Sequence, residues 1–104
     1  MTISLDWQGD YVQGSYITFI RTGKSDSGKT QVWTVRDQGK ETLGYVKWFA
    51  PWRSYAFEPE PNMVFEKTCL KEIARFCEEL TKEHSQRRKA TRDALRLVKK
   101  SGLK

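Results

Sequence analysis

Apolar and polar residues alternate in short runs through the first half of the chain, each run bounded by Gly, Asp, Ser or Pro. Ile3 to Gln8, Ser15 to Thr22, Thr30 to Asp37, Leu43 to Phe49 and Trp52 to Phe57 are rich in β-branched and aromatic residues. Each predicts a strand. The turns between them fall at Gly9-Asp10, Gly23 to Lys29, Gln38-Gly39-Lys40 and Ala50-Pro51, so the strands form an antiparallel meander of four or five. Pro59 and Pro61 close the sheet, because proline donates nothing to a β-ladder.

After Met63 the period changes from two to helical. Leu70, Ile73, Cys77 and Leu80 recur at helical spacing with Ala74 beside them, and Phe65, Cys69 and Phe76 widen the stripe. The prediction is a helix packed across one face of the sheet. Beyond Leu80 the stripe lapses through KEHSQRRK and resumes weakly at Ala90, Ala94, Leu97 and Val98. The tail is either a continuation of the same helix or a second one, ended by Gly102. The expected fold class is α+β, with residues 1–81 as sheet-plus-helix domain and residues 82–104 as a helical extension.

Strict alternation assigns strand residues to two faces. A turn at Ala50-Pro51 sets Trp48 opposite Arg53 and Val46 opposite Tyr55, while the Gln38 to Lys40 turn brings Trp33 near Val46. One face then holds Trp33, Val35, Val46, Trp48, Tyr55 and Phe57, which suits the helix stripe. The other holds Val32, Thr34, Arg36, Tyr45, Lys47, Trp52 and Ser54, mixing aromatic with basic side chains.

Aromatic content sharpens the question of partners. Residues 43–57, LGYVKWFAPWRSYAF, carry six aromatics in fifteen positions. So small a domain cannot bury all of them, and some must face water, a partner or the face of a base. Arg53 has two readings, stacking on an indole within the fold or holding a base or phosphate. Tyr45 and Trp52 are the aromatics whose exposure is most informative.

Charge separates the tail from the body. Of the 19 Lys and Arg in 104 residues, nine lie in residues 82–104 against only Glu83 and Asp93, a net of +7. The remaining 81 residues carry −1, so the +6 of the chain belongs to the tail. A basic arm on a near-neutral body points to a polyanion, with nucleic acid the commonest, or else to a solvated tail that aids solubility.

Other classes are poorly supplied. No run approaches the ~20 apolar residues of a bilayer span. The start, MTISLDWQGD, is acidic and has no apolar signal core, so the expectation is a cytoplasmic protein with no membrane partner. Cys69 and Cys77, eight apart on a helix, stand about 12 Å apart along its axis and cannot bond to each other, and they read as core residues in a reducing compartment. One sequence match misleads. Gly23 to Thr30, GKSDSGKT, satisfies the phosphate-loop pattern G-x-x-x-x-G-K-[ST]. That chemistry needs a helix directly after the loop, whereas QVWTVRD reads as a strand. The segment is expected to be a polar hairpin loop. His84 is the only histidine, so no nucleophile, base and orienter can be assembled around it, and no His/Cys cluster has metal-ligand spacing. The chain is therefore expected to be non-enzymatic, without cofactor or metal.

The segment Trp33 to Leu80 resembles a family of small uncharacterised bacterial and phage proteins. The resemblance is carried by VW-x-V at Val32 to Val35, LG-x-VKW at Leu43 to Trp48, WR-x-Y-x-F at Trp52 to Phe57 and CL-x-x-IA-x-F at Cys69 to Phe76. It covers about half of the chain and implies no activity or functional residues. A looser likeness, in topology only, is to the PC4-like coactivator fold, whose four-stranded curved sheet holds single-stranded DNA and whose helix helps to dimerise.

These readings converge on nucleic-acid binding through Arg36, Tyr45, Lys47, Trp52, Arg53, Arg87, Arg88, Lys89, Arg92 and Arg96. The rival is a small phage or mobile-element module that docks on a host protein through exposed aromatics. A homodimer through Ala90, Ala94, Leu97 and Val98 is a further expectation if the arm is structural.

Overall fold

The alternating runs resolve into strands that each pair with their neighbours in sequence. A computed structural model describes residues 4–100, with side chains to residue 94. Strands β1 (Asp6–Trp7), β2 (Tyr11–Gln13), β3 (Ile17–Lys24), β4 (Gln31–Asp37), β5 (Thr42–Phe49) and β6 (Ser54–Pro59) form one antiparallel sheet in the order 1-2-3-4-5-6. A single helix, α1 (Lys67–Lys100), follows and packs on the sheet. The α+β meander is as expected, but with six strands instead of four or five. The addition is β2, whose three residues are too few to show a period.

The buried face matches the alternation. Val12, Phe19, Trp33, Val35, Val46 and Tyr55 meet Ile73, Phe76 and Leu80 of α1 in one core, flanked by Trp48 and Phe57. Phe76 lies at its centre. It stacks on Phe19 at 4.0 Å and on Trp7 at 5.2 Å, and meets Trp33 edge-on at 5.0 Å. Offset and edge-on ring pairs of this kind add specific geometry to the area they remove from water.

Two expectations about this packing are corrected. Trp48 pairs with Tyr55 and Val46 with Phe57, a shift of two residues from the register expected. The cause is the connection: Ala50–Trp52 form a 3-10 turn and Arg53 adopts a left-handed conformation (φ 50°, ψ 48°), so four residues, not two, link β5 to β6. An even shift preserves the faces, although it removes Trp52 from the sheet altogether. The helix is also rotated. Cys69, Glu72, Ile73, Phe76, Cys77 and Leu80 face inward, whereas Leu70 is 49% exposed and Ala74 is exposed. Phe76 needs the centre of the face, and Glu72 needs the β2–β3 turn.

Glu72 is 1% exposed. Its carboxylate accepts hydrogen bonds from the Ser15 amide at 2.6 Å and the Tyr16 amide at 3.3 Å. Gly14 permits this approach, since a Cβ there would lie 2.6 Å from the carboxylate. Gly44, in the LG-x-VKW run, is required for a similar reason. The Phe57 ring covers it, and a Cβ would meet that ring at 2.8 Å. At the far side of the sheet, the outer amide of Tyr55 in β6 donates to Thr81 Oγ1 at 3.0 Å, which in turn donates to the Cys77 carbonyl at 2.7 Å. The helix thereby occupies part of the open edge of β6, where another strand could otherwise pair. Helix α1 thus runs diagonally from the β2–β3 turn to β6.

Candidate nucleic-acid interface

The expected interface divides between two regions. Arg36, Tyr45 and Lys47 lie on the sheet face opposite α1, with Tyr45 paired to Thr34 on one side and Glu58 on the other. Lys47 Nζ stands 3.4 Å from Glu58 Oε1 and 5.7 Å from the centre of the Tyr45 ring. Its charge is thus partly offset. Arg36 is half-buried and its Nε is enclosed without a hydrogen-bond partner. This face holds no concentration of free positive charge.

The second region is one end of the sheet. The β3–β4 loop, the β5–β6 turn and the last helical turn in contact with the sheet all meet there. In the turn, Pro51 fits the first positions of the 3-10 segment, and the Arg53 amide donates to the Ala50 carbonyl at 3.1 Å. Trp52 is 73% exposed and Phe49 40%, and their rings meet edge-on with centroids 4.7 Å apart. Arg53 is exposed. Its suggested stacking partner, Trp48, faces α1 instead and packs on Tyr55 and on the His84 ring at 4.4 Å. Ser54 Oγ approaches Thr81 Oγ1 at 3.3 Å, so the turn and the helix are tied together.

His84 is therefore packed and not a free surface residue. Desolvation, then the nearby Arg88 and Arg87 charges, hold its imidazolium below the usual pKa. Beside it, Lys29, Gln31, Tyr55 and Arg87 line a small crevice. The Tyr55 hydroxyl accepts from the Gln31 amide at 3.1 Å, and burial still pushes its pKa up.

The β3–β4 loop is a hairpin connection followed by β4, as the sequence pattern implied, and it cannot act as a phosphate cradle. Four of its amides are consumed internally. Ser25 N donates to Thr30 O at 2.9 Å, Gly28 N to Ser25 O at 2.9 Å, Lys29 N to Ser27 Oγ at 3.3 Å and Thr30 N to Ser25 Oγ at 3.2 Å. Gly28, at φ +74°, closes the turn. The Lys24 and Lys29 side chains are left exposed.

From this end α1 continues beyond the sheet, as one helix with the part that packs. Every residue from Ser85 to Ala94 is exposed. Arg87 pairs with Glu83 at 2.6 Å, while Arg88, Lys89 and Arg92 project from the exposed turns. Arg96, with Leu97 and Val98, lies in the last turns, beyond the residues whose side chains are described, and Gly102 lies outside the described residues. Cys69 and Cys77 are free thiols packed against the core; burial raises both, Cys77 to about 11. Among the described residues no group of three His, Cys, Asp or Glu could hold a metal ion. No helix among them is long and apolar enough to cross a membrane.

The sheet end draws Trp52, Arg53, Arg87 and Arg88 into one neighbourhood and leaves Arg36, Tyr45 and Lys47 further back along β4 and β5. It adds Lys24, Lys29 and Phe49. The signal for these three was present: in a meander, alternate connections emerge at the same end, so the β3–β4 loop and the β5–β6 turn must be neighbours.

Comparison with known proteins gives one relative, an uncharacterized 9.3 kDa protein of Acholeplasma phage L2. It is 29% identical over 77 residues, which are 74% of this chain and 99% of that protein. No protein-family model and no solved structure matches the chain.

Proposed function

We propose that this chain is a non-enzymatic nucleic-acid-binding protein whose main contacts are made by the basic continuation of α1. One observation carries the reading. From Ser85 to Ala94 the helix has no sheet to cover, yet it carries Arg87, Arg88, Lys89 and Arg92 on exposed turns that leave from the end of the sheet where the β5–β6 turn exposes Trp52. Exposed cations beside an exposed π-face suit a partner that is both polyanionic and aromatic. The site is cytoplasmic in this reading, and it needs no cofactor or metal.

The second reading, a phage or mobile-element module that docks on a host protein, is favoured by the phage relative and by exposed Trp52. We propose further that the chain belongs to a family of small phage proteins marked by the LG-x-VKW and WR-x-Y-x-F runs. Fluorescence-anisotropy titration of labelled oligonucleotides at two salt concentrations separates the readings. Phosphate contacts release counterions, so affinity should fall with salt at a log–log slope of roughly −0.7 to −0.9 per contact. No detectable binding to any oligonucleotide at low salt would exclude the first reading and leave the docking module.

A further inference from the structure

Resting on the nucleic-acid reading, we infer that the partner is single-stranded, and that its bases stack on Trp52 and Phe49 while Lys29, Arg53 and the start of the arm hold its phosphates. The argument begins with the turn. Trp52 and Phe49 pack edge-on, so each braces the other while the faces not in contact remain open to solvent. The 3-10 turn and its tie to Thr81 hold them on a rigid support. A duplex buries its base faces in its own stack and offers such rings little. An unpaired strand offers every base.

Charge complements the rings. Lys24 ends β3 and Lys29 lies in the β3–β4 loop, Arg53 follows Trp52, and Arg88 and Lys89 lie just beyond the crevice shared by Lys29, His84 and Arg87. Acids lie near this end too: Asp26 in the loop, Glu83 engaged with Arg87, and Glu78 and Glu79 beside Ser54 and Thr81, Glu79 engaged with Arg75. Arg53 adds an independent indication. It holds a left-handed backbone conformation that glycine adopts without strain, and strained non-glycine residues of this kind concentrate at functional sites. Tyr45 shares the face of Phe49 but lies four residues back along β5, away from this end, and takes no part.

The test is an anisotropy titration of the full chain against one labelled oligonucleotide, single-stranded and annealed to its complement, at low salt. The native chain should bind the single strand more tightly. Trp52→Ala should weaken single-strand binding between roughly 5- and 150-fold, the range for losing one stacked base, and leave duplex binding nearly unchanged. Trp52→Phe keeps a π-face and should retain most of the preference. Tyr45→Ala should have no effect, and Lys29→Ala should reduce the single-strand salt slope by about 0.7. Circular dichroism of each variant checks that it folds. Equal affinity for both forms, or a single-strand preference that Trp52→Ala leaves intact, would overturn the inference while nucleic-acid binding stands. Failure to bind either form would overturn both.

Discussion

Single residues decide how the helix is seated. The Glu72 carboxylate accepts from the Ser15 and Tyr16 amides, and removing it leaves those two donors without it in a partly buried site. Hydrogen bonds to a charged group contribute about 1.5–3 kcal/mol, so Glu72→Ala should destabilise the fold by about 2–3 kcal/mol in urea unfolding. Gly14→Ala should mimic it, because the new methyl displaces the carboxylate. Arg53 predicts the opposite sign. Relieving its left-handed backbone with Arg53→Gly should raise stability by up to ~1 kcal/mol, net of glycine's greater unfolded-state freedom, while weakening oligonucleotide binding. A variant that gains stability and loses binding separates strain kept for function from strain of no consequence. His84 adds a pH dependence. Its pKa is lowered in the folded state, so the unfolded chain binds the proton more readily. Its contribution is therefore complete above the ordinary value near 6.5 and declines as pH falls through the lowered folded value. The His84→Gln variant should show a flatter dependence of Tm on pH between about 7 and 5.

Elements show what the sequence disclosed and what it withheld. Strands β3 to β6 were legible because their period of two is long enough to count, and the faces of Trp33, Val46, Trp48 and Tyr55 followed directly. The register of β5 with β6 was not legible. Nothing local shows that Arg53 would accept a left-handed backbone, and that choice lengthens the connection by two residues. The helix was legible as a helix but not in its rotation, because Leu70 and Phe76 compete for the core and only Glu72's reach to the β2–β3 turn decides. The sheet end was hidden in a different way. Its members come from three segments, so no window of sequence contains them. The helix itself predicts where the chain can be cut. Truncation after Arg88 removes, among the described residues, only exposed positions and should leave cooperative unfolding with Tm changed little. Truncation after Thr81 removes His84 from Trp48 and should lower Tm measurably.

At the scale of the molecule, a near-neutral sheet domain presents a basic helix from the same end as its most exposed tryptophan. Arg36, Tyr45 and Lys47, once grouped with these residues by sequence, occupy the sheet face opposite α1, where Glu58 offsets part of the charge. The account therefore places most phosphate contacts in the arm, with Lys29 and Arg53 beside it, and none on the open face of the sheet. The most direct test compares the salt dependence of oligonucleotide affinity for the native chain and for a variant with Arg87, Arg88, Lys89 and Arg92 all changed to Gln. These side chains are exposed, so the variant should fold as the native chain does. Its log–log salt slope should be shallower by roughly 3 to 3.5 and its low-salt affinity correspondingly weaker across all sequences, since each lost phosphate contact removes about 0.7–0.9. An unchanged slope and affinity would contradict the account and place the contacts elsewhere.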